Sequence, residues 1–193
     1  MGRFPEKIFQ VRTLSFIDIS FNSNLQGFFP SFPLNGALHT LIVSQTSFSG
    51  TLPSSLSNFK GLSYLDLSFN NFTGPIPSLG MARKLSYIDL SHNNFSGAIP
   101  SSAHFEGLHN LVKVDLRYNS INGSVPSSLF TLPLLKKILL SYNQFTQLDE
   151  LTNVSSFNLD TLDLSSNNIS GSIPSSLFRL KGLSILQLSS NNF

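Results

Sequence analysis

The 193-residue chain contains no cysteine and no tryptophan, and only 11% of its residues are charged. Without cysteine there can be no disulfide scaffold, no Cys-ligated zinc site and no cysteine nucleophile. The few charges are nearly balanced, 12 basic against 10 acidic with no basic run, which argues against a nucleic-acid partner. No stretch approaches the roughly 18 apolar residues of a membrane span, and the opening MGRFPEKIFQVR lacks the apolar core of a signal peptide. Catalytic patterns are missing as well. His39, His92, His104 and His109 show neither H-E-x-x-H nor paired metal spacing, and no G-x-S-x-G, Walker or dinucleotide-binding glycine motif occurs. An enzyme is therefore not expected, nor is a metal or cofactor.

The chain is instead rich in three residue types: 32 Leu, 34 Ser and 18 Asn. With 18 Phe besides, it has the apolar material for a core. The bias comes from a repeat. LSYLDLSFNNFTGPIPS from Leu62, LSYIDLSHNNFSGAIPS from Leu85 and LDTLDLSSNNISGSIPS from Leu159 share L-x-x-L-x-L-x-x-N-x-F/I-x-G-x-I/V-P. The first leucine recurs at Leu14, Leu38, Leu62, Leu85, Leu111, Leu135, Leu159 and Leu183, at spacings of 24, 24, 23, 26, 24, 24 and 24 residues. Such regularity over nearly the whole chain indicates a stacked architecture.

Within each repeat, apolar and polar residues alternate with period two, as in Tyr64-Leu65-Asp66-Leu67-Ser68. This is a half-buried strand with Leu65 and Leu67 inward and Tyr64, Asp66 and Ser68 outward. Successive repeats add one parallel strand each, giving a stack of ~34 Å. The recurring Asn (Asn22, Asn70, Asn93, Asn119, Asn143, Asn167, Asn191) should end each strand and bond the backbone of adjacent turns as a ladder. Thr46 replaces it in the second repeat and should weaken the ladder there. Phe48, Phe72, Phe95, Ile121, Phe145 and Ile169, two residues on, should form an inner spine. The Gly-x-Ile/Val-Pro segment then turns the chain onto the opposite face.

The 24-residue L-x-x-L-D-L-S-x-N-x-F-x-G-x-I-P-S-S-L unit resembles the plant-specific leucine-rich repeat. The phrases FPEKIFQV, HFEGLHNLV and LDTLDLSSNNISGSIPSSLF resemble the extracellular repeats of plant receptor-like proteins of the verticillium-wilt-resistance type. The resemblance implies an α/β-type leucine-rich repeat solenoid, a horseshoe with a parallel sheet on its concave face and irregular or 3-10 convex segments. It also implies ligand recognition by the extracellular region of a plant cell-surface receptor in defence signalling. A peptide or protein would bind the concave face, and co-receptor kinases would engage parts outside this chain. A secreted protein similar to polygalacturonase inhibitors, or a truncated product without function, are the alternatives.

Both ends cut through a repeat, so residues 1–193 are expected to be one solenoid of about eight repeats, truncated at each end. Solenoids need polar caps. The family's caps usually carry paired cysteines, and their absence here suggests an internal piece whose open ends would promote self-association.

Register assigns the surface positions. The row opening the strands holds Tyr64, Tyr87, Lys113 and Lys137, and the row before the ladder Asn holds Phe21, Phe69, His92, Tyr118 and Tyr142. Exposed aromatics are enriched where partners bind. Lys113, Arg117, Tyr118, Lys137 and Tyr142 are expected to sit together on strands five and six as an aromatic and basic patch for an anionic or amphipathic peptide surface, with Tyr64, Phe69, Tyr87 and His92 as further candidate contacts of the concave face. The aspartate row (Asp18, Asp66, Asp89, Asp115, Asp163) is read as repeat consensus, since its carboxylates would repel without basic partners and no calcium loop is present. N-x-S/T triplets make Asn71, Asn94, Asn122, Asn153 and Asn168 candidate glycosylation sites. The sixth repeat lacks Gly and Pro after Asn143, so its convex turn should differ, leaving Asp149 and Glu150 as a small acidic spot.

Overall fold

The computed structural model of the chain describes residues 2–99, 105, 107–151 and 153–193. His104 and Pro100, the proline of one Gly-x-Ile-Pro turn, lie outside the described residues.

The leucine repeat produces an eight-stranded parallel sheet. Its strands are Phe16–Asp18, Thr40–Ile42, Tyr64–Asp66, Tyr87–Asp89, Lys113–Asp115, Lys137–Leu139, Thr161–Asp163 and Ile185–Gln187, stacked in chain order. The register is uniform: Tyr64, Tyr87, Lys113 and Lys137 occupy equivalent places on neighbouring strands, as do Asp66, Asp89, Asp115 and Leu139. The central residue of each strand points inward, and Leu41, Leu65, Ile88, Val114, Ile138 and Leu162 are fully buried.

A second sheet was not anticipated. Gly2–Arg3, Leu25–Gly27, Ser47–Gly50, Asn71–Gly74, Asn94–Ala98, Ser120–Ser124 and Gln144–Gln147 form seven parallel strands along the side of the stack. The alternation that specifies it is in the N-F-S/T-G stretch, where Asn71 and Thr73 are exposed around buried Phe72. Short 3-10 helices at Glu6–Gln10, Ser54–Asn58, Ser127–Thr131 and Ser175–Arg179 complete several coils on the far side. In the sixth repeat, Glu150 accepts hydrogen bonds from the Ser175 and Ser176 N–H groups, tying that irregular turn to the start of the next 3-10 helix. These bonds, that from the Ser176 hydroxyl foremost, hold the Glu150 carboxyl below its usual range, so it is an anchor between repeats and not a free acidic spot.

The inner spine forms as expected. Phe48, Phe72, Phe95 and Phe145 are fully buried, with ring centroids 6.4 Å apart for Phe48 and Phe72 and 6.1 Å for Phe72 and Phe95. Near the N-terminal end, Phe4, Phe9, Phe29 and Phe32 join it through edge-on and tilted contacts.

The asparagine ladder also forms, and its bonds are specific. The Asn93 amide donates to Leu67 O of the preceding repeat (2.9 Å) and to Leu90 O and Ser91 O of its own (3.2 and 3.1 Å), while its Oδ1 accepts the Phe72 N–H (3.0 Å). Asn70, Asn119, Asn143, Asn167 and Asn191 repeat the pattern. The single Thr46 hydroxyl proton faces two acceptors, Asn70 Oδ1 at 2.6 Å and its own Val43 O at 3.0 Å, and the shorter contact is to Asn70. The reach back to the first repeat is lost. The Ser47 hydroxyl makes that link instead, to Ser23 O (2.6 Å).

Replacing Asn93 by Ala should leave the buried Phe72 N–H without a partner, take one of the donors from each of the Leu67, Leu90 and Ser91 carbonyls and destabilise the chain by about 3 kcal/mol. Asn93→Thr, which copies the local solution at Thr46, should cost less than half of that. Urea unfolding of the three proteins checks both statements.

Candidate functional site

The residue before each ladder position has a left-handed backbone. Phe21, Gln45, Phe69, His92, Tyr118, Tyr142, Ser166 and Ser190 all have φ between 52° and 56°. Such a conformation costs a non-glycine residue on the order of 1 kcal/mol. It is held because the next Asn bonds the carbonyls two and three residues before it, which closes the turn. The turn carries the strained residue's side chain to the edge of the strand row.

Successive turns therefore place aromatic rings one over the next. Phe69 stacks on His92 (4.0 Å between centroids, 11° between planes), His92 on Tyr118 (4.2 Å, 15°) and Tyr118 on Tyr142 (4.3 Å, 8°). Phe69, Tyr118 and Tyr142 are exposed at their outer edges, whereas His92, expected to be exposed, is half-buried between its neighbours. A second stack runs along the row opening the strands, where Tyr64 lies flat on Tyr87 (4.2 Å, 4°) and Lys113 follows with its ammonium 4.8 Å from the centre of the Tyr87 ring.

Between the two stacks lies the aspartate row. Its regular task is local: Asp18, Asp66, Asp89 and Asp163 each accept both the N–H and the hydroxyl hydrogen of the serine two residues on. This is the physical content of the recurring D-L-S. At Asp115 the serine is replaced by Arg117, whose guanidinium binds the carboxylate through two bonds of 2.9 and 2.7 Å. Lys113 reaches Asp89 (3.1 Å), Asp115 (3.2 Å) and the Tyr87 hydroxyl (3.0 Å).

Two expectations are corrected here. Two of the aspartates, Asp89 and Asp115, do have basic partners. The basic patch, in turn, is not free, because Lys113 and Arg117 are neutralised by Asp89 and Asp115 and only Lys137 stands exposed on its strand without an ion pair among the described residues. Burial alone would lower the Lys113 ammonium, but the Tyr87 hydroxyl and the two carboxylates outweigh it and raise the group above its ordinary value. Burial first, and Arg117 second, hold the His92 imidazole below its ordinary value against the opposing pull of Asp115 and Asp89. Asp66 differs from its neighbours: burial raises its carboxyl, Asp89 adds to the effect, the Ser68 bonds only partly oppose it, and no cation pairs with it among the described residues.

The structure thus brings Phe69, Tyr64, Tyr87, His92, Lys113, Arg117, Tyr118, Lys137 and Tyr142 onto one face. Asn71, Asn94 and Asn122 sit exposed on the side sheet, away from it; Asn168 and Asn153 are exposed in irregular segments. Sequence reasoning missed Asp66, Asp89 and Asp115 as members of the site. The signal available was the fixed spacing of D-L-S and its change to D-L-R at Arg117. Among the described residues no group of His, Asp and Glu could hold a metal ion.

The leucine rich repeat family profile matches residues 83–145 and 135–193, and a shorter profile of the same description matches 37–59 and 61–80. Receptor-like protein 6 of Arabidopsis thaliana is 43% identical over 67 residues, covering 35% of this chain and 7% of that protein. The matched chain of the PEPR1-AtPEP1 crystal structure is 34% identical and superimposes with a TM-score of 0.90 over 98% of this chain and 27% of that one. The Arabidopsis receptor kinase HAESA, solved with the peptide hormone IDA and the co-receptor SERK1, is 29% identical with a TM-score of 0.65 over 98% of this chain and 40% of that one. The chain spans well under half the length of each.

Removing the Lys113 ammonium as Lys113→Met should leave Asp89 and Asp115 buried side by side and cost about 3 kcal/mol of stability in denaturant unfolding. Acid should act through His92. Its depressed value means that the folded state takes up its proton less readily than the unfolded one, so this contribution is complete above the ordinary histidine range and is lost as the pH falls through it. His92→Phe should therefore flatten the stability profile between about pH 7.5 and pH 5, which thermal unfolding at stepped pH measures.

Proposed function

The chain belongs to the leucine-rich repeat family, and from that premise we propose that it forms the ligand-recognising part of the extracellular region of a plant cell-surface receptor-like protein acting in defence signalling. The relatives are receptor-like proteins and receptor ectodomains, and this module binds and does not catalyse. No helix among the described residues is long and apolar enough to cross a membrane. The parent receptor would sit in the plasma membrane with these repeats on the extracellular side and signal through co-receptor kinases contacting other parts of it.

The observation that carries the reading is the exposed ring column from Phe69 to Tyr142 on the concave sheet. It spans four repeats and uses positions whose side chains add nothing to the core. Stacking fixes the rings in advance, so a ligand loses little by ordering them, and aromatic side chains concentrate binding energy at interfaces. Tyr64, Tyr87, Lys113, Arg117 and Lys137 border the same surface. N-glycans at Asn71, Asn94, Asn122, Asn153 and Asn168 would leave that surface clear.

A random peptide library displayed on phage and selected against the chain should yield binders that weaken at least tenfold when Tyr118 and Tyr142 are both replaced by Ser. Serine suits the left-handed backbone, since Ser166 and Ser190 occupy the same position. Binders indifferent to the double substitution, measured by interferometry, would count against the concave site.

A further inference from the structure

We propose that the concave face takes a cationic side chain, an arginine or lysine of the bound peptide, on the Asp66 carboxylate between the Tyr64–Tyr87 and Phe69–His92 ring pairs. The inference rests on the reading of the concave sheet as a peptide-binding surface and adds the charge of the ligand to it.

The first support is the charge count of the face. It carries Asp18, Asp66, Asp89, Asp115 and Asp163 against Lys113, Arg117 and Lys137, a balance of 3 − 5 = −2, although the whole chain has a formal charge of +2. The two strongest cations are already consumed by Asp89 and Asp115. A ligand carboxylate would have to displace them, whereas a ligand cation meets unpaired aspartate.

The second support is local. Asp66 uses Oδ1 for the Ser68 N–H and hydroxyl, and the Ser44 hydroxyl also bonds the carboxylate, so its partners are neutral donors and none is a cation. Its neighbours in register are Ile42 and Asp89, one apolar and one acidic. A half-buried carboxylate so placed is held at a cost that an incoming cation relieves. His92 is disfavoured as that cation, because burial first and Arg117 second hold its imidazole below its ordinary value.

The third support is the pair of aromatic walls. Tyr64 and Tyr87 are stacked on one side in the row opening the strands, and Phe69 and His92 on the other, in the row after the carboxylate. Rings stacked face to face turn their edges to the row between them, so these pairs wall the Asp66 position, and cation–π contact is open only at an outer ring face, as where Lys113 lies over Tyr87 while bonding Asp89. Asp163 lies in the same row but between Thr161 and Ser166, without rings on either side.

All four tyrosines of the chain, Tyr64, Tyr87, Tyr118 and Tyr142, lie on this face and there is no tryptophan, so intrinsic tyrosine emission reports on this face, with Tyr64 and Tyr87 at the site itself. The 193-residue chain is titrated with acetyl-Gly-Arg-Gly-amide, acetyl-Gly-Gln-Gly-amide and acetyl-Gly-Glu-Gly-amide. The arginine peptide should give a saturable change, at least tenfold weaker in Asp66→Asn and unchanged in Asp163→Asn. Asp66→Asn keeps an acceptor for Ser68. Asp66→Leu, which copies Leu139 at the same register, provides a second folded variant, with circular dichroism confirming both. An equal or stronger response to the glutamine or glutamate peptide, or an arginine response untouched in both variants, overturns the cation site while concave recognition stands. No response to any of the three, together with no concave binders from the displayed library, overturns both.

Discussion

From the third repeat onward, every coil of this protein depends on one side-chain amide bridging two repeats. The ladder asparagine donates to a leucine carbonyl of the repeat before it and accepts an N–H from the same neighbour, so no coil satisfies its own backbone alone. Short strands of three residues could not hold a stack by sheet bonds only. The buried amide supplies what a longer strand would, and it does so at the bend, where backbone groups would otherwise be stranded without water. Stability is then shared between nearest neighbours along the chain, as expected of a repeat architecture.

That same amide releases the surface from structural duty. Because the Asn closes the turn, the residue before it can be forced into the left-handed region whatever its side chain, and Phe, His, Tyr, Gln and Ser all occur there. The fold fixes where that side chain goes and leaves its identity open. The aspartate row shows the opposite bargain: four of its members are tied to the serine two residues on, and Asp115 accepts an arginine fork instead. One row is therefore tied into the turns, Asp66 among it lying without a cation on either neighbouring strand, and the aromatic side chains of the flanking rows are available for contact.

Much of this could be read from the sequence because period and register are properties of the chain. The eight strand positions, the inner spine from Phe48 to Phe145 and the placing of Tyr64, Tyr87, Tyr118 and Tyr142 on one face all follow from counting. The side sheet was legible too, in the alternation of Asn71, Phe72 and Thr73, but the glycine that follows drew attention to the turn. What counting could not supply were distances across rows. That Lys113 folds back onto Asp89 and Asp115, that Arg117 takes the place of a serine hydroxyl, and that His92 is sandwiched by Phe69 and Tyr118 depend on side-chain torsions. These reverse the sign of the face that the lysines and arginine had suggested.

The two aromatic columns have unequal pitch. Rings on the exposed column repeat every 4.0 to 4.3 Å, and the buried phenylalanines from Phe48 to Phe95 every 6.1 to 6.4 Å. Strands themselves are ~4.8 Å apart. A coil pinched on one side and spread on the other takes up the difference by ring offset and by leaning each repeat towards the exposed column. A closer pitch on the sheet side than in the spine is the difference that a curved stack requires. A molecule that wedged between two of those rings would straighten the solenoid locally, and the bend of the horseshoe would register what had bound.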